Sequence, residues 1–99
     1  MWEDLSAELR ASGEAVLRRV RSADFDGVEV DLLIETDKRV FVVEVEVRPR
    51  IDDVGALLAK AEVVGRKLDK QSVPVLAGTY VGREVELYAK NKGVLVLTY

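Results

Sequence analysis

Two valine-rich segments near the middle of the chain alternate apolar and polar residues with a period of two, the pattern of a half-buried β-strand. Turn-forming residues at positions 36–39 separate the two segments. The sequence therefore predicts a β-hairpin over residues 28–47. Its apolar face is predicted to carry Val28, Val30, Leu32 and Ile34 from the first arm, and Phe41, Val43, Val45 and Val47 from the second.

Helical periodicity flanks the hairpin on both sides. Apolar residues at helical spacing predict one amphipathic helix over residues 1–21, with Gly13 inside it at a cost of about 1 kcal/mol relative to alanine. A second helix is predicted over residues 52–69, capped by Asp52 and Asp53. Residues 73–99 predict a buried strand, a short helix that ends at Gly93, and a final strand. The apolar stripe of the first helix comprises Trp2, Leu5, Leu9, Val16, Leu17 and Val20.

These elements predict an α/β fold, a small mixed β-sheet flanked by helices in the order α-β-β-α-β-α-β. A chain of 99 residues is enough for one compact domain and too short for two. Its net charge of −3 excludes the bulk basicity of strong non-specific nucleic-acid binders. Contact with a nucleic acid would have to come from a local patch.

The chain contains no Cys and no His, which excludes thiol chemistry, disulfides, Cys/His zinc sites and imidazole catalysis. High charge combined with only two amide side chains, Gln71 and Asn91, is typical of thermophile proteins. The first residues lack a signal-peptide pattern, and no apolar run approaches the roughly 18 residues of a membrane span. We therefore expect a cytoplasmic protein with no membrane partner.

Acidic residues occupy the polar face of the predicted hairpin. A turn centred on residues 37–38 sets the register and places Asp31 opposite Glu44, and Glu29 opposite Glu46. Like charges directly opposite each other destabilise a sheet by a few tenths to ~1 kcal/mol per pair. Two interpretations remain open: the carboxylates lie on a solvated strand face, or two or three of them hold a divalent cation such as Mg²⁺ or Mn²⁺.

Two parts of the sequence resemble a known superfamily. Residues 27–34 (GVEVDLLI) and 42–46 (VVEVE), followed by a helix and a strand, resemble the PD-(D/E)XK nucleases, which have the restriction-endonuclease-like fold and include archaeal Holliday-junction resolvases. Residues 85–99 are also similar to the "AxxxGI" helix-to-strand ending of poorly characterised archaeal members. The resemblance covers about residues 27–99.

The resemblance implies specific roles for several residues. Asp31 matches the motif Asp and Glu44 its acidic partner, which makes both of them metal ligands, with the backbone carbonyl of Val45 as a third. The implied activity is hydrolysis of DNA phosphodiester bonds with Mg²⁺ or Mn²⁺ as cofactor. Glu46 stands where the superfamily usually has Lys, so it would serve as a ligand or a general base. Lys60 on the second helix is the candidate for the missing cation.

The sequence also departs from the superfamily pattern. Lys67 and Arg48 are further cations near the predicted site, although surface charges of this kind are usually only solvated. The superfamily's first strand is expected to be shortened or missing in residues 22–27, and Glu14 is not expected to be a ligand. The alternative function is therefore a catalytically degenerate nuclease fold that serves dimerisation or nucleic-acid docking. An exposed edge strand would suit a homodimer.

Overall fold

The computed structural model describes residues 2–99, with side chains from Glu3 onward, so Met1 and the Trp2 side chain lie outside it. Three helices and five strands follow one another as α1 (Trp2–Ser12), β1 (Val16–Phe25), β2 (Val28–Thr36), β3 (Arg39–Glu46), α2 (Ile51–Leu68), β4 (Gln71–Gly78), α3 (Arg83–Asn91) and β5 (Leu95–Thr98). The described part contains no helix that is long and apolar enough to cross a membrane.

The five strands form one mixed sheet in the order β1-β2-β3-β4-β5. Strands β1, β2 and β3 form an antiparallel meander, whereas β4 and β5 are parallel to β3 and are reached through α2 and α3. The predicted hairpin is confirmed, and over residues 32–35 and 40–43 its register is the predicted one, with Leu32 opposite Val43 and Ile34 opposite Phe41. The predicted second helix, third helix and last two strands are confirmed as well.

Both faces of the sheet are buried at the strands β2, β3 and β4, which produces two apolar clusters, whereas most of β1 is exposed. The helices α2 and α3 cover one face, where Leu33, Val42 and Leu76 pack against Val54 and Leu57. The helix α1 covers the other face through Leu5 and Leu9. The strand β4 contributes to both clusters, as expected for a strand buried on both sides.

The predicted helix over residues 1–21 is wrong in its second half. The helix α1 ends at Ser12, and Gly13 follows with φ +73°. The Gly13 amide donates to the Arg10 carbonyl (3.2 Å) and the Glu14 amide to the Leu9 carbonyl (3.1 Å), the hydrogen bonds of a Schellman cap. Gly13 therefore terminates the helix rather than lying within it. Residues 16–25 form a complete ten-residue strand, so the expected shortening of the first strand is also wrong.

The predicted apolar face of β2 is wrong at one point. Val30 belongs to the cluster under α2 and α3, whereas Leu32 belongs to the cluster under α1. The change of face coincides with an irregular backbone in β1. Ser22 lies between Arg21, which pairs with Leu32, and Ala23, which pairs with Val30, and its φ is +51°. This local distortion surrounds Asp31, the residue that the sequence analysis singles out.

The turn end of the hairpin is fixed by Glu14, whose side chain is almost fully buried. Its carboxylate accepts hydrogen bonds from Arg39 Nε (2.9 Å) and the Thr36 hydroxyl (2.9 Å). The backbone amides of Lys38 and Arg39 donate to the same Thr36 hydroxyl oxygen. Glu14 thus joins the end of α1 to the β2–β3 turn, far along the hairpin from Asp31 and Glu44.

Candidate functional site

The strands β2 and β3 separate immediately beyond the pair Leu32 and Val43, and two carboxylates bridge the gap. The Asp31 amide donates to Glu44 Oε2 (2.9 Å), and the Val45 amide donates to Asp31 Oδ2 (2.9 Å). Each side chain accepts a backbone hydrogen bond from the opposite strand, so side chains replace the ladder at this point. The structure therefore brings Asp31 and Glu44 together, as the hairpin register predicts, and places the Val45 backbone amide beside them.

The helix α2 adds a cation to this pair. Its buried face, which includes Leu57, Ala61 and Val64, packs on the sheet. Lys60 precedes Ala61 at the edge of this face, and its Nζ donates to Glu44 Oε1 and forms an ion pair with it. Both side chains are largely withdrawn from solvent, with 31% of Lys60 and 13% of Glu44 exposed. Sheet packing of α2 thus holds Lys60 beside the strand that carries Glu44.

Glu46 completes the acidic cluster, which we define as Asp31, Glu44 and Glu46. Burial raises the pKa of the Glu46 carboxyl, and the negative charges of Asp53, Asp31 and Glu44 raise it further, while Lys60 opposes them. Asp53 lies in the first turn of α2, where its Oδ2 accepts the Arg50 amide (2.7 Å). Arg50 is the N-cap residue, so of the two predicted capping residues, Asp52 and Asp53, only Asp53 takes part. The sequence analysis did not assign Asp53 to the site, and the helix start soon after Glu46 is the signal that it could have used.

Replacing Glu46 by Gln is expected to stabilise the domain at neutral pH. A Glu whose pKa is raised by folding opposes folding when it is ionised, and this cost disappears below its ordinary pKa near 4.5. Because Glu46 is exposed, solvent screens these charges, and we expect Glu46→Gln to raise the free energy of unfolding at pH 7 by only a few tenths of a kcal/mol and to match the parent near pH 3. Thermal unfolding at both pH values measures this effect. The exposed Glu84→Gln is the matched control, and a lower Tm for Glu46→Gln at pH 7 would contradict the assignment.

Other predicted members lie elsewhere. Glu29 is exposed and pairs with Asp24 across β1 and β2, so the predicted cluster of four hairpin carboxylates is wrong by one member. Lys67 forms an ion pair with Asp26. Arg48 lies beyond the end of β3 and stacks on the ring of Tyr80 rather than sharing the strand face of Glu44. Within residues 2–99, no group of three or more carboxylates is arranged to hold a metal ion. A cation at the acidic cluster would need other oxygen ligands besides two carboxylates.

Comparison with known proteins bears on the fold. No family model and no curated protein matches the chain. Among solved structures, a repair endonuclease from Pyrococcus abyssi matches all of this chain and 46% of its own length, with a TM-score of 0.71 and 11% identity. The structure of an EndoMS–dsDNA complex matches 96% of this chain and 42% of that one, with a TM-score of 0.69 and 13% identity. The chain therefore shares the fold of part of these two structures.

This endonuclease-like fold confirms the α/β class that the sequence predicts. The chain spans less than half the length of either structure. The order of elements differs from the predicted one only by the additional strand β1. At 11–13% identity the likeness concerns the path of the chain.

Proposed function

We propose that this domain hydrolyses DNA phosphodiester bonds with Mg²⁺ or Mn²⁺, held by Asp31, Glu44 and the backbone carbonyl of Val45. The observation that carries the proposal is the pair of carboxylates interlocked across the gap between β2 and β3, with Lys60 against them. The endonuclease-like fold supports a role on DNA, since one protein of that fold is described in a complex with dsDNA. The resemblance of residues 27–46 to the PD-(D/E)XK motif supports the same roles.

The donor set fits a hard divalent cation. Asp31 Oδ2 accepts the Val45 amide, while its Oδ1 accepts no hydrogen bond from the described residues. Glu44 uses Oε2 for the Asp31 amide and Oε1 for Lys60. Carboxylate oxygens are the ligands that Mg²⁺ and Mn²⁺ prefer, and such an ion, when bound, polarises a phosphodiester and lowers the pKa of an attacking water.

The remaining residues divide the other tasks. Lys60 supplies positive charge beside Glu44, in place of the superfamily's strand lysine, and offsets negative charge that develops on a phosphate. Glu46 accepts a proton from water, because its raised pKa makes it a stronger base than an ordinary exposed Glu. The cation of the motif is thus carried by α2 rather than by β3.

A second function rests on a different aspect of the same ion pair. Lys60 already neutralises Glu44, so this carboxylate has a counter-charge without any added cation. A degenerate nuclease fold that only docks on nucleic acid or forms a homodimer would retain this arrangement. The complete β1 strand removes one argument for degeneracy, and Glu46 in the lysine position remains the other.

Metal-dependent stability separates the two functions. If the site binds Mn²⁺, we expect saturating Mn²⁺ to raise the Tm of the parent by about 5 °C or more, because a ligand that binds only the folded state stabilises it. Asp31→Asn should abolish this shift. Asp69→Asn is the matched control, since Asp69 is exposed and its left-handed backbone (φ 52°) suits Asn. Equal Tm values with Mn²⁺ and with a chelator, together with no detectable heat of binding in a calorimetric Mn²⁺ titration, would favour the docking module.

A further inference from the structure

A second group of exposed side chains borders the acidic cluster. The parallel strands β3, β4 and β5 end side by side, with Glu46 beside Gly78 and Gly78 beside Thr98. Three of the six large apolar side chains that are exposed in the described residues follow these positions. They are Val47 (59% exposed), Tyr80 (61%) and Tyr99 (53%). Exposed apolar side chains gathered at one place mark an interaction surface.

Arg48 and Tyr80 form the centre of this surface, and we call this pair the platform. The Arg48 guanidinium lies over the Tyr80 ring, with Cζ 4.9 Å from the ring centroid. Arginine stacks on aromatic faces through its planar, delocalised charge, and it keeps N–H donors at its edge for a phosphate. The spacing of the three tyrosines in the sequence gives no indication of such a pair. Arg48 lies in the loop between β3 and α2, whereas Tyr80 lies in the loop between β4 and α3.

The connections that carry the platform are fixed to each other. The Tyr80 amide donates to the Val47 carbonyl (2.8 Å), and the Tyr99 amide donates to the Gly78 carbonyl (3.1 Å). A Cβ atom on Gly78 would lie 3.0 Å from the Glu46 carbonyl oxygen and 2.8 Å from Val81 Cγ2, so the two segments pack at backbone distance. The platform is therefore held in place before any ligand arrives, which lowers the entropic cost of binding.

We infer that the platform stacks an unpaired nucleobase of DNA beside the acidic cluster, an inference that rests on the proposed nuclease function. A tyrosine face stacks on any base, and the adjacent arginine contacts the strand's phosphates. The acidic cluster repels those phosphates, so a cation and a stacking surface at its border are needed to hold a strand there. A base inside a duplex has both faces covered, whereas an unpaired base has a free face. The preferred substrate is therefore DNA with unpaired bases next to the cleaved bond.

The test measures binding separately from cleavage. A fluorescently labelled single-stranded 15-mer and a hairpin duplex of matched length are titrated by anisotropy in EDTA, which prevents hydrolysis. We expect Tyr80→Ala to weaken binding of the single strand about fivefold or more, with duplex binding unchanged, whereas Tyr80→Phe keeps the parent affinity. Arg48→Ala should weaken the single strand similarly. Arg66→Ala is the matched control, because it removes the same charge at the opposite end of α2.

Each outcome decides the inference. Weaker single-strand binding for Tyr80→Ala but not for Tyr80→Phe supports the inference. If the same protein cleaves no DNA with any metal ion, only the nuclease function is contradicted. Parent-like binding by Tyr80→Ala, equal losses for both DNA forms, or failure of the parent to bind the single strand would overturn the inference. Cleavage of DNA with unpaired bases by the Tyr80→Ala variant at the parent's rate would also overturn the inference, while leaving the nuclease function in place.

Discussion

Asp31→Asn is expected to lower Mn²⁺-dependent cleavage of DNA at least about a hundredfold while leaving the domain folded. The substitution keeps the side-chain shape and one oxygen that can accept the Val45 amide, so the link between β2 and β3 survives. It removes the negative charge that a divalent cation requires. Cleavage of labelled branched and linear DNA, with circular dichroism to verify folding, measures the effect. Parent-like cleavage by Asp31→Asn would remove Asp31 from the catalytic site.

The same cleavage assay tests the role of Lys60. If Lys60 takes the role of the superfamily's strand lysine, whose position Glu46 occupies here, Lys60→Ala should abolish cleavage. Lys60→Arg should retain part of the activity, because it keeps a positive charge beside Glu44. Lys67→Ala is the matched control on the same helix, since Lys67 pairs with Asp26 away from the acidic cluster. Equal losses in Lys60→Ala and Lys67→Ala would indicate a general effect of charge rather than a role at the site.

The hairpin and its acidic pair could be predicted because both depend on local rules. The two-residue turn fixes the register as far as the pair Leu32 and Val43, which brings the next residues, Asp31 and Glu44, close together. The position of Lys60 follows from a second local rule, since it lies at the edge of the apolar stripe of α2. These features need no knowledge of the distant parts of the chain.

The first strand and the local geometry of the site could not be predicted in the same way. Val16, Leu17 and Val20 fit the helical period of α1, yet Gly13 ends that helix with a positive φ. The pair Asp26 and Gly27, both with positive φ, forms the two-residue turn that signals a hairpin, and that signal points to β1. The change of face around Asp31 lies opposite Ser22 of β1, whose φ is +51°, and the helix predicted over the first part of this strand could not reveal it.

The second large effect concerns stability and lies at the turn end of the hairpin. Hydrogen bonds from Arg39 lower the pKa of the Glu14 carboxyl from its ordinary value of 4.5 to about 2, and Ser12 and Thr36 also contribute, against a smaller opposing effect of burial. A lowered pKa means that the ionised carboxylate stabilises the fold above pH 4.5 and that this contribution is lost as pH falls toward 2. The shift corresponds to about 3 kcal/mol of folding free energy at neutral pH.

Glu14→Gln is therefore expected to lower the free energy of unfolding by about 3 kcal/mol at pH 7, and by roughly half of that at pH 3. The Glu14 side chain is 2% exposed and that of Arg39 is 25% exposed, so water replaces the carboxylate that Arg39 loses only in part. Urea unfolding at the two pH values measures the difference. Glu62→Gln breaks the exposed pair with Arg66 and should cost no more than about 0.5 kcal/mol at either pH. A Glu14→Gln penalty that is the same at pH 3 and pH 7 would show that packing, rather than the ionised carboxylate, holds the end of α1 to the hairpin turn.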